Sequence, residues 1–292
     1  AWGFVKGGTG SVSESIASAA REHGAEILTE AGVAQVAVKN GKATGVVLDD
    51  GREYTASVVV SGLDPKRTFL DLVDANSLPD DFVRDIERFK IRGSSGKVNL
   101  SLSELPNFTS KPGVGPLHKG AISISPSIDY LERAYDEAKY GDFSSRPYMD
   151  IIMPSMIDAG MAPPGKHVMS IFVQYAPSDL RGGWDETKRE AFGDAVVDTL
   201  AQYAPNLPEA ILHRQVLTPW DIDRDMGLTD GNIFHGELSL HQLFCMRPTV
   251  GHADYTTPVR GYYQAGSGTH PGGGVTGASG RLAALKILKE AL

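Results

Sequence analysis

The chain of 292 residues has a formal net charge of −8, with 41% hydrophobic and 22% charged residues, ordinary for one large globular domain or two interleaved smaller ones. The acidic surplus argues against a nucleic-acid partner or an anionic-membrane surface, which need a basic field, and no apolar run approaches the roughly 18 residues of a membrane span. A single cysteine, Cys245, excludes an internal disulfide and fits a reducing compartment: the cytoplasm or, in a eukaryote, the mitochondrial matrix.

The sequence opens at Ala1, and residues 1–10 lack the basic start and apolar core of a secretory signal. A processed or truncated product is the expectation. Val12, Ile16, Ala19 and Ala20 recur at helical spacing, predicting a helix over 11–23 that Gly24 ends. A short strand is expected at 26–28. Asn40-Gly41 and Asp50-Gly51 favour tight turns, so 33–39, 44–48 and 52–54 should form a three-stranded meander. Ala56-Ser-Val-Val-Val-Ser61 lacks alternation and suits a strand buried on both faces, as in a parallel sheet. Gly62 to Pro65 break the pattern and mark a domain crossing.

Residues 66–89 read as helix, interrupted near Ser77 to Pro79. Residues 96–104 alternate apolar and polar, the pattern of a half-buried antiparallel strand. A polar helix is expected over 127–140, strands over 148–153 and 167–175, and an amphipathic helix over 187–204, stopped before Pro205. A final helix over 276–292 should bury Leu282, Leu285, Leu288 and Leu292. Cys245, between Phe244 and Met246, reads as a buried inert thiol. Trp184, Tyr203 and Trp220 read as core, and Asp221, Asp223 and Asp225 as a solvated acidic turn without the glycine and glutamate of a calcium loop.

The segment that carries chemistry is Gly266 to Gly280, which holds seven glycines. A short buried strand, 261–265, precedes it and the last helix follows. Strand, glycine-rich loop, helix lets backbone amides approach a phosphate or a flavin edge. The spacing is neither that of a P-loop nor Gly-x-Gly-x-x-Gly. His235, Glu237 and His241 lack the further ligands of a zinc motif, and no metal is expected. His270, His235 and His241 remain as catalytic candidates.

Gly-Ser-Gly-Thr-His-Pro-Gly-Gly-Gly-Val at 266–275 resembles the C-terminal FAD-binding signature of the phytoene desaturase and carotenoid isomerase family. Gly7-Gly-Thr-Gly10 and the stretch from Gly24 to Gly51 are similar to that family's middle cofactor segment. The stretches 231–243, Arg247-Pro248 and 255–261 resemble a narrower subgroup within it. The resemblance implies an FAD-dependent oxidoreductase, dehydrogenase- or desaturase-like, acting on an apolar small molecule. It also implies an N-terminal Rossmann segment, absent here, as this chain's missing partner. Cofactor contacts carried over are Val33, Ser61, Gly266, Ser267, Gly268, His270, Pro271, Gly272, Gly273, Gly274, Val275, Thr276 and Ala278. The last helix, starting near Val275 and Thr276, would stabilise negative charge on the flavin pyrimidine.

The expected fold is α/β (α+β): a partial glutathione-reductase-like FAD-binding domain, 1–64 with 251–292, and a mixed-sheet substrate domain, 65–250. Alone, such a fragment is expected to be inactive. The alternatives are a non-catalytic substrate-cap or interaction piece without bound FAD, whose unpaired sheet edge invites homodimerisation, and a redox-neutral flavin-dependent isomerase.

Overall fold

The Asn40-Gly41 turn closes as its dipeptide predicts, with φ of 52° at Asn40 and 69° at Gly41, the left-handed pair that matches the twist of a hairpin. It joins β1 (Val33–Lys39) to β2 (Lys42–Leu48), and the Asp50-Gly51 turn leads on to β3 (Glu53–Thr55). The three form an antiparallel sheet in the order β1-β2-β3. In a computed structural model describing residues 3–291, the chain divides into two units: Ala1–Ile27 with Ser94–Ile222, and Leu28–Gly93 with Asp223–Leu292.

The second unit holds that meander and a two-stranded parallel sheet of β4 (Val59–Ser61) and β10 (Tyr262–Gln264). All three residues of β10 are buried, as a strand without alternation should be. In β4 that expectation fails: Val60 is 47% exposed. Helical turns at Arg67–Asp71 and Ala75–Ser77, then α2 (Asp80–Arg88), cover the sheet. The break near Ser77–Pro79 is where the sequence places it. Asp74 accepts from Asn76 N and caps the short middle turn. Phe69, Phe82 and Ile86 pack with Val36, Val259 and Tyr262. The Phe69 and Phe82 rings meet edge to face at 4.9 Å, a geometry favoured by their quadrupoles.

These contacts explain why the expected borders at 64/65 and 250/251 do not divide the units. The helices of 67–88 bury their apolar face against the meander and β10, so they belong to the same unit as those strands. α7 (Ala278–Ala291) closes the unit, beginning two residues later than expected. Ala283 and Leu282 pack with Tyr255 and Ala265. Leu285 and Leu288, expected to be buried, are 49% and 59% exposed, and Leu292 lies outside the described residues.

The first unit opens with α1 (Gly10–Glu22). The strand expected at 26–28 does not form. Ala25 N returns to Ala20 O to close the helix, and Ile27 is left exposed. Five strands follow: β5 (Ser95–Leu102), β6 (Ile122–Ile124), β7 (Tyr148–Ile152), β8 (His167–Gln174) and β9 (Ile211–Leu217). Their order is β6-β7-β8-β5-β9 and each pairing is antiparallel, so the sheet expected to be mixed is not.

Alternation sends Val98, Leu100, Leu102, Met169, Ile171 and Val173 to one face, against Phe192, Val196 and Leu200 of α4 (Glu186–Ala201). Each such buried side chain contributes about 1.5–3 kcal/mol. Gly96 permits the approach, since a methyl there would lie 2.5 Å from the Phe192 ring. Trp184 and Tyr203 join this core as partly buried neighbours. α3 (Ile128–Lys139) starts at Ser127, whose Oγ accepts from Tyr130 N at 3.1 Å.

The solvated acidic turn expected at Asp221, Asp223 and Asp225 does not form. Residues Pro219–Met226 form a helix, and Asp221 is buried, accepting from Thr218 N and Oγ1 at 2.9 and 2.8 Å. Cys245, expected to be buried, is instead exposed, in a surface turn over Phe244–Met246. Its apolar neighbours did not carry it inward.

Candidate functional site

The chemistry expected of the glycine run gathers where β4 and β10 end together. Ala265 N donates to Ser61 O at 2.7 Å, so the loops leaving both strands start side by side. Ser61 Oγ is bonded to Thr68 Oγ1 at 2.8 Å and accepts from Leu63 N at 3.2 Å. Gly266 follows at φ 87°, and a methyl there would lie 2.6 Å from the Gly62 carbonyl oxygen. Only glycine permits that approach.

Val33 and Ser61, far apart in sequence, line one apolar cleft of about 260 Å³ with Val36, Gly62, Leu63 and Tyr262. Burial holds the Tyr262 phenol far above its ordinary range, and its hydroxyl donates to Thr68 O at 3.0 Å. The residues lining the cleft include no acidic or basic side chain, so its wall is uncharged at neutral pH.

Beyond Gly266 the loop folds through two short turns, Thr269 N to Gly266 O and Gly272 N to Thr269 O. Among the described residues, the backbone N–H groups of Ser267, Gly268 and Gly273 through Gly277 donate to no carbonyl or side chain. Gly274, Val275 and Thr276 are exposed. A row of unsatisfied donors leading into a helix N-terminus suits an anion or an electron-rich ring edge. Pro271 is exposed at the bend, and Ala278 begins α7.

The segment 234–242 lies against this loop. A methyl at Gly273 would lie 2.6 Å from the Phe234 ring, and one at Gly272 would lie 3.7 Å from Leu238. Arg247 joins the two, donating to Ser267 O and to carbonyls of 234–242. The sequence reading gave Arg247 no role; an arginine set in the apolar run Phe-Cys-Met-Arg-Pro was the available signal. Leu63, Phe234 and Leu238 were also missed.

The three candidate histidines are not equivalent. His270 is in the loop, its carbonyl accepting from Tyr255 Oη at 3.0 Å and its ring 6.0 Å from that of Phe244. His235 has a buried Nδ1 without a partner among the described residues. Burial pushes its pKa down, outweighing an upward pull from the Asp64 carboxylate, and the Arg247 charge adds a smaller downward push. His241 is exposed, with Ser239 Oγ at 3.4 Å. Glu237 is engaged with Arg92 at 2.8 Å, and among the described residues no group of three His, Cys, Asp or Glu side chains is placed to hold a metal.

The residues present fit a flavin nucleotide. An apolar cleft adjoins a glycine loop with free amides, and Gln264 Oε1 at the end of β10 is buried without a partner among the described residues. The amides can donate to the carbonyls, ring nitrogens and phosphates of that group, and the Gln264 oxygen can accept from a ring N–H.

Comparison with known proteins agrees. Residues 2–288 match the family described as flavin containing amine oxidoreductase. The chain is 43% identical over 299 residues to pyridine nucleotide-disulfide oxidoreductase domain-containing protein 2 of Rattus norvegicus, covering 99% of this chain and 52% of that protein. It is 27% identical over 283 residues to a lycopene-forming phytoene desaturase of Paracoccus sp., covering 95% of this chain and 53% of that one. Among solved structures, an oxidoreductase of Methanosarcina mazei superposes with a TM-score of 0.64 at 19% identity, over 97% of this chain and 55% of that one. The chain thus spans about half the length of the relatives it matches.

Proposed function

Because the chain belongs to the flavin-containing amine oxidoreductase family, we propose that it is the C-terminal portion of an FAD-dependent oxidoreductase of desaturase-like type. FAD is the cofactor that goes with this family. Within this proposal the second unit supplies part of a glutathione-reductase-like cofactor domain. Val33, Ser61 and the loop from Gly266 to Ala278 would hold the cofactor. The substrate role expected of residues 65–250 falls mainly to the first unit, which contains 94–222, and the proposed substrate is an apolar small molecule.

The observation that carries this reading is the meeting of Ser61 to Leu63 with the glycine loop, beside a row of free amides. When bound, the chemistry supplied by the cofactor is acceptance of a hydride from a substrate C–H. The protein's own part is electrostatic. Free N–H groups of 273–277 and the positive end of α7 would stabilise negative charge without rearranging. Leu63, Val33 and Val60 would keep water from the cleft. The missing partner is then an N-terminal segment carrying a Rossmann phosphate site, seated on the parallel sheet where Val58 and Val60 are exposed.

The test is an absorption spectrum of the purified chain and of the full-length protein from the same gene, each with and without added FAD. Flavin retained by the full-length protein supports the proposal, and a colourless protein in excess FAD sinks it. A chain that folds without flavin in either form is the non-catalytic interaction piece. Retained flavin with substrate turnover but no net electron transfer makes the activity that of an isomerase.

A further inference from the structure

Arg247 is fully buried, at 0% exposure, and no carboxylate among the described residues is within ion-pair reach of it. Its Nε donates to Ser267 O at 3.0 Å. Nη1 donates to Glu237 O and Gln242 O at 3.2 and 3.3 Å. Nη2 donates to Phe234 O at 2.7 Å, Ser267 O at 2.8 Å and, more weakly, Gly236 O at 3.4 Å. All five guanidinium N–H groups are thus spent on neutral carbonyls.

A buried arginine is ordinarily matched by a carboxylate, because an unpaired charge in a low-dielectric interior is costly. Here the nearby acids are engaged elsewhere: Glu237 with Arg92, and Asp64 with Thr229 Oγ1 and the amides of Lys66 and Arg67. Burial pulls the guanidinium down to about 10, so it stays charged at neutral pH. Carbonyl dipoles satisfy its hydrogen bonds without cancelling its charge. Because a peptide is planar and trans, the Ser267 carbonyl that faces Arg247 turns the Gly268 N–H the other way, and that N–H has no acceptor among the described residues.

We infer that Arg247 is a positioning residue that places an uncancelled positive charge behind the glycine loop, so that the loop selects an anionic ligand, a dinucleotide diphosphate over a neutral flavin. The inference rests on the flavin reading above and adds to it the source of the selectivity. The charge acts through space, since no donor of the guanidinium is free to touch a ligand.

The experiment titrates the full-length apoprotein with FAD and, separately, with riboflavin, which has the same ring system and no phosphate. Three variants are compared with the parent: Arg247→Met, Arg247→Lys and Phe234→Ala. Arg247→Met should weaken FAD binding at least tenfold and riboflavin binding less than threefold. Arg247→Lys, which restores charge but not the five-donor staple, should keep most of the preference for FAD. Phe234→Ala loosens the same segment without touching the charge and should weaken both ligands alike. Parallel losses for both ligands in Arg247→Met overturn the inference, leaving a purely structural arginine. If that variant does not fold, loss of the FAD preference in Arg247→Lys overturns it equally. A parent protein that binds both ligands without preference overturns this inference alone, whereas one that binds neither removes the flavin reading and this with it.

Discussion

Ala265 N and Ser61 O, 2.7 Å apart, join the ends of two strands that are two hundred residues apart in sequence. This bond sets the register in which the Gly62–Pro65 loop and the glycine run leave the sheet together. The tightest point follows at once, at Gly266.

Gly266→Ala should cost about 2–4 kcal/mol of unfolding free energy. The methyl would press on the Gly62 oxygen at 2.6 Å, in a backbone conformation of φ 87° that side chains resist. Gly280→Ala is the control, at an exposed position of α7 with nothing within 4 Å of the new methyl. It should gain about 0.5–1 kcal/mol from helix propensity. Denaturant titration of both variants checks the contrast, and equal stabilities would show that the loop does not press on Gly62.

Gly274→Asp should cost about 1–2 kcal/mol for a side chain at φ 133° without unfolding the protein, because it lies in an exposed loop where the closest atom to the new Cβ is Thr276 Cγ2, at 3.6 Å. It sets a carboxylate beside the free amides. Flavin retention by the full-length protein should fall at least tenfold, about 1.4 kcal/mol. Undiminished visible absorbance in the purified variant would argue that the loop is not a flavin cradle.

Asp221 and Asp225 lie four residues apart and should respond differently. Asp221 is buried, bonded to Thr218 and 3.3 Å from Arg189 Nη1. Asp221→Ala strips a buried network of its acceptor and should cost about 3–5 kcal/mol. Asp225 pairs with neighbouring Arg224 at the surface, and Asp225→Ala should stay within about 0.5 kcal/mol. Similar midpoints for the two variants would contradict the burial of Asp221.

His235 should make stability fall at acid pH. Its folded pKa is depressed by burial, which outweighs the upward pull of Asp64, so the unfolded chain takes up the proton first. The stabilisation is present above the ordinary imidazole value of about 6.5 and is lost as pH falls from there toward the lower folded value. His167, also depressed by burial, contributes with the same sign. His235→Asn tolerates the φ of 55° at this position and should show a shallower decline in Tm between pH 7 and 5. An unchanged slope would mean that His235 titrates normally.

The elements that the amino-acid order determined by itself are those built from neighbours in the chain. The Asn40-Gly41 turn, the Ser127 cap of α3, the alternation along β5 and β8, and the glycine run ahead of α7 each follow from local sterics, hydrogen bonding or periodicity over a few residues. The flavin-type signature of 266–275 was legible for the same reason, since its glycines answer to a contiguous loop. Tertiary structure alone decided what depends on distant partners. Whether Asp221 is solvated turns on Thr218 and Arg189, and whether Leu288 is buried turns on which surface α7 finds. The role of Arg247 turns on carbonyls drawn from two loops. Burial and charge compensation are properties of a neighbourhood in space, and a side chain's type cannot report who its neighbours will be.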